Sequence, residues 1–100
     1  HKIHDNPKEW FLDFFQTVFD YKEEYKLLIK TKVPAGFVFH FDEEKLLKEV
    51  QKDDSSLEHY RAIAMGKALQ DVTLAWFQKG MKETPEEMAE VMYQIFFGRG

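Results

Sequence analysis

The residues with chemistry to offer are few: four histidines, the paired carboxylates and two adjacent serines. His1 and His4 could chelate a cation at a mobile end, but they read as a chain end or a tag remnant. His40 and Asp42 lie close together but lack a third ligand, and His59 falls near the start of a helix as a solvated side chain. No two histidines sit four apart around a glutamate, so the helical zinc pattern is missing. The acidic pairs Glu23-Glu24, Glu43-Glu44, Asp53-Asp54 and Glu86-Glu87 fall at helix starts or in a loop. Negative charge there favours the helix dipole, which explains them without a catalytic role. Ser55 and Ser56 have no base beside them, and no glycine-rich phosphate loop occurs. There is no cysteine, which excludes disulfides, thiolate catalysis and cysteine-type zinc sites. The expectation is therefore no catalytic residue, no metal and no cofactor, and a chain that is not an enzyme.

The whole chain narrows the class further. One hundred residues make a single domain. Lys and Arg number 14 against 18 for Asp and Glu, a net charge of −4. That balance argues against this chain gripping nucleic acid itself, since phosphate neutralisation needs a basic face. Mean hydropathy is −0.51, and no apolar run approaches the ~20 residues that span a bilayer. No basic segment followed by an apolar one reads as a signal peptide, and His1 suggests a start inside a longer protein or after a tag or cleavage.

Helical periodicity dominates. Asn6-Pro7 reads as a helix start, followed by Trp10, Phe11, Phe14, Phe15, Val18 and Phe19 on one broad face. Asp20 to Lys22 is a break, and a short helix covers 23–30 with Tyr25, Leu28 and Ile29 on its apolar side. Val33-Pro34-Ala35-Gly36 and the alternating phenylalanines Phe37, Phe39 and Phe41 read as an irregular connector. Asp42 caps a helix over 43–52, with Leu46, Leu47 and Val50 as its stripe. Ser55 or Ser56 caps a long helix over 57–79, for which Gly80 is the C-cap. Thr84-Pro85-Glu86-Glu87 then opens a last helix through a capping box, with Met88, Val91, Met92, Ile95 and Phe96 as one stripe. The fold class is all-α, about five helices, the last two antiparallel.

Two features point beyond a filled core. On the long helix, Leu57, Ala64, Ala68 and Ala75 share one direction, Met65, Leu69, Val72 and Trp76 lie about 90° round, and Ile63 and Leu74 lie on the far side. A helix apolar nearly all round is buried nearly all round, and a chain this small needs a partner chain to do that. Ten of the sixteen aromatics fall between Trp10 and Phe41. Bulky rings on irregularly packed helices often line a pocket for an apolar ligand, though they also simply fill cores.

The stretch Ala75-Trp76-Phe77-Gln78-Lys79-Gly80-Met81-Lys82-Glu83-Thr84-Pro85-Glu86-Glu87-Met88-Ala89 resembles the final two helices of TetR-family bacterial transcriptional regulators. In that family a Trp and a Gly-Met close the penultimate helix and a Ser/Thr-Pro-Glu-Glu opens the last. The piece Phe19-Asp20-Tyr21-Lys22-Glu23-Glu24-Tyr25-Lys26-Leu27-Leu28 is also similar. The resemblance implies an all-helical C-terminal domain whose last two helices pair with those of a second subunit into a four-helix bundle. The other helices would enclose a small-molecule pocket, and ligand binding would shift N-terminal helix-turn-helix heads and release the operator. No helix-turn-helix precedes Asn6, so the expectation is the regulatory domain alone, DNA being held only through a head that this chain lacks.

On this basis the homodimer interface is expected at Met65, Leu69, Val72, Trp76, Met88, Val91, Met92 and Ile95. A small apolar or aromatic effector is expected against Trp10, Phe14, Tyr25, Phe37, Phe41 and Tyr60. The whole would be a cytoplasmic regulator, a repressor, with no membrane partner. The rival reading is a helical protein–protein interaction module with a full core and no ligand.

Overall fold

In a computed structural model the described residues are 5–31 and 55–98, and among them there are four helices and no strand. The connector and the helix expected over 43–52, with Phe37 and Phe41, lie outside the described residues.

Helix α1 spans Pro7–Asp20. Asn6 caps it by accepting from the Glu9 N–H at 3.3 Å, and Pro7 stands where no N–H is missed. Its buried residues, Phe11, Phe15 and Val18, keep the four-then-three spacing of one helix face. Tyr21 closes α1 by donating to the Thr17 carbonyl and opens α2, Lys22–Lys30, by accepting from the Tyr25 N–H. No residue of α2 is buried. Tyr25 and Ile29 pack against the core, whereas Leu28, expected beside them, is 41% exposed.

Helix α3 spans Ser56–Gln78, capped by Ser55. It ends in a Schellman motif: the Met81 N–H donates to the Trp76 carbonyl (2.9 Å) and the Gly80 N–H to that of Phe77 (3.1 Å). Gly80 takes φ +90°, where a side chain would be strained. Met81 follows at φ +53°, held there with its side chain buried. Helix α4 spans Pro85–Phe96, and its capping box is complete in both directions: Thr84 Oγ1 accepts from the Glu87 N–H, and Glu87 Oε1 from the Thr84 N–H. Thr84→Ala is expected to cost about 1 kcal/mol, read as a lower midpoint in urea with an unchanged slope.

Two hydrogen bonds show that α3 and α4 run antiparallel. Arg61 near the start of α3 donates to the Phe96 carbonyl at the end of α4 (3.1 Å). At the other end, the Trp76 indole N–H donates to the Glu83 carbonyl (3.1 Å), pinning the turn. Helix α1 lies along α4. The core is Phe11, Phe15 and Val18 from α1, Ala62, Met65, Leu69, Trp76 and Phe77 from α3, Met81, and Met88, Ala89 and Met92 from α4.

Candidate functional site

Rings connect three helices in one unbroken run. Trp10 stacks on Phe14 (centroids 6.1 Å apart, planes 5°), and Phe14 meets Phe15 edge-on at 5.1 Å. Phe15 meets Trp76 edge-on at 5.7 Å, and Phe19 stacks on the same indole at 6.2 Å. Trp76 leads to Phe77 (6.4 Å) and Phe77 to Tyr25 (6.0 Å). The run therefore goes from α1 across α3 to α2, and edge-on and offset contacts of this kind each add about 0.5–1.5 kcal/mol beyond area burial. Three of the residues expected to line a pocket, Trp10, Phe14 and Tyr25, belong to this run, each half-buried and packed against the core. Tyr60 does not share their burial: it is 65% exposed, its ring beside His59.

The residues expected to meet a second subunit divide into two groups. Met65, Leu69, Trp76, Met88 and Met92 are buried within the single chain. They form the inner face of α3 and α4, where Trp76 meets Phe15 and Phe19 of α1. Val91 and Ile95 are 49% and 62% exposed, and Val72 is half-buried between the groups. The apolar stripe of α4 thus splits along its length. Lys8 of α1 reaches Glu90 (2.9 Å) and lies over the Tyr93 ring (5.1 Å), which places α1 on that flank of α4. At about 100° per residue, Val91 and Ile95 fall on the flank away from it.

On α3 the uncovered apolar residues are Leu57, Tyr60 and Ile63, joined by the exposed Ala64 and Ala75 and the half-buried Ala68. Leu57, Ala64, Ala68 and Ala75 lie within about 40° of one another on the helical wheel. The bulkier direction of this helix is the chain's own core, and the alanine direction is the one left open. Size was the signal that separates them: Met, Leu and Trp fill a core, and a row of alanines lets another helix approach closely.

Charge is peripheral to both faces. The Lys8 ammonium is held above its ordinary range, chiefly by its hydrogen bond to Glu90. The Glu90 carboxyl is held below its own by that bond and by Gln94. The attraction is complete while both are charged, and it fades as pH falls through the Glu90 range or rises through that of Lys8. About half of each side chain stays in contact with water, so salt screens the pair. Arg61 is better sheltered. It pairs with Glu58 (3.1 Å) and lies over the Phe97 ring (4.7 Å) while holding the end of α4. No cluster of three potential metal ligands occurs among the described residues. Among those residues no helix is long and apolar enough to cross a membrane.

A family model described as a transcriptional regulator C-terminal region, of the TetR type, matches residues 5–98. No curated protein and no solved structure matches the chain. The match takes in all four helices, the Trp76-to-Glu87 turn and the ring-lined face of α1, and on that ground the chain belongs to the TetR family of transcriptional regulators, as a C-terminal region.

Proposed function

We propose that this chain is the ligand-sensing and dimerisation domain of a bacterial, cytoplasmic repressor, in which effector binding releases operator DNA held by N-terminal heads. The observation that carries the reading is the division of α3 and α4 into a buried inner face and an uncovered apolar outer one. A single chain of this size gains nothing by exposing Leu57, Val91 and Ile95 together, whereas a second copy would cover them. Pairing α3 and α4 with their counterparts gives the four-helix arrangement of such bundles, with Leu57, Ala64, Ala68, Ala75, Val91 and Ile95 at the seam. Met65, Leu69, Trp76, Met88 and Met92 then support the seam from behind. The effector belongs against the ring run of Trp10, Phe14 and Tyr25, where large apolar area would be lost from water at low entropic cost. DNA contact is left to the heads, in keeping with the net charge of −4.

Ethylbenzene is a suitable probe of the sensing half of the proposal. At a concentration about a hundredfold above its Kd, binding should raise the melting temperature by roughly 10 °C. Phe14→Ala should weaken that binding without changing the solution mass. If neither ethylbenzene nor larger apolar aromatics move the melting temperature, the rings fill the site themselves and the chain is a helical interaction module.

A further inference from the structure

Thr73 is fully buried in the middle of α3, and its hydroxyl has no hydrogen-bond partner among the described residues. A threonine in a helix ordinarily turns its hydroxyl back onto the carbonyl three or four residues earlier. Thr73 does not, and an unmet buried hydroxyl is costly enough to require an explanation. Its position supplies one. On the wheel of α3, Thr73 lies between Trp76 and Phe77. Trp76 packs on Phe15 and Phe19 of α1, and Phe77 packs on Tyr25 of α2. Thr73 therefore lies on the arc of α3 flanked on one side by the contact with α1 and on the other by the contact with α2. Two turns earlier in the same direction stands Gly66, buried and without a side chain.

We infer that Thr73 is the polar anchor of an otherwise apolar effector site, selecting a small aromatic ligand that carries one hydroxyl group. The inference rests on the ligand-sensing reading above and adds to it the chemical class of the ligand. The ring of the ligand would lie among the aromatics of α1 and α2, and its hydroxyl would complete the hydrogen bond that Thr73 lacks. A site built to bond a hydroxyl discriminates against the analogue without one, because the buried partner is left unpaired.

The test compares 4-ethylphenol with ethylbenzene on the native chain, Thr73→Val and Thr73→Ser, by calorimetric titration and thermal melting. In Thr73→Val the preference for the phenol over the hydrocarbon should fall about tenfold. Thr73→Ser should keep it. Without ligand, Thr73→Val should melt at or above the native temperature, since it removes an unpaired hydroxyl. If both probes bind and the preference is the same in all three proteins, this inference fails and the sensing reading stands. A clear fall in melting temperature for unliganded Thr73→Val also overturns it, because the hydroxyl would then have a partner. If no probe binds any of the three, the sensing reading fails and takes this one with it.

Discussion

Val91→Glu is expected to turn a dimer into a folded monomer. Val91 is 49% exposed in the single chain, on the flank of α4 away from α1, so a glutamate there meets water while the chain is alone. In a two-fold interface every substitution occurs twice, and each new carboxylate would be driven into an apolar seam without a partner. An unpaired buried charge costs about 3–5 kcal/mol, which raises the dimer Kd by at least about a hundredfold. Light scattering after size exclusion should give one chain mass, with far-ultraviolet circular dichroism unchanged. A soluble Val91→Glu dimer of unaltered mass would remove α4 from the interface. The neighbouring Met92→Glu makes the contrast: Met92 is fully buried within the chain, so that change should unfold the monomer itself.

Phe15→Ala should be the most damaging single truncation of the core. Phe15 is fully buried and meets both Phe14 and Trp76 edge-on, so it joins α1 to the long helix. Phenylalanine-to-alanine changes in cores cost about 3–5 kcal/mol through lost transfer energy and the cavity left behind. That is a large part of the ~5–15 kcal/mol that holds a domain together. The melting temperature should fall by roughly 15–30 °C. Phe14, half-buried on the same helix, should show a much smaller loss. A drop of less than about 5 °C for Phe15→Ala would mean that its ring does not join the two helices.

The helix ends were legible because their chemistry is local. Asn6, Ser55 and Thr84 each cap the helix that follows, as their side chains and the Pro7 and Pro85 behind two of them imply, and Gly80 closes α3 with the φ that only glycine takes without strain. These choices depend on residues within one turn of the chain. The inner and outer faces of α3 and α4 were harder to tell apart, because that distinction depends on where α1 lies. Periodicity groups Met88, Val91, Met92 and Ile95 as one apolar stripe, and only the approach of Lys8 to Glu90 and Tyr93 shows which half looks inward. The same holds for Leu28, apolar by pattern but left exposed because α2 touches the rest of the chain along Tyr25 and Ile29. For the ligand face, the abundance of rings between Trp10 and Tyr25 was plain, but their order was not. The run from Trp10 to Tyr25 passes through Trp76 and Phe77, some fifty residues on. Thr73 carries no sequence signal at all: a threonine in a helix is ordinary until its burial and its missing partner are seen together.

The proposed dimer requires the outer face of α3 and α4 to be covered by a second copy, and the solution mass of the unmodified chain is the direct test. Light scattering after size exclusion should give twice the chain mass of 12.0 kDa, persisting as the protein is diluted into the low micromolar range. A single-chain mass at every concentration would mean that Leu57, Val91 and Ile95 remain in water, and it would contradict the paired-bundle reading.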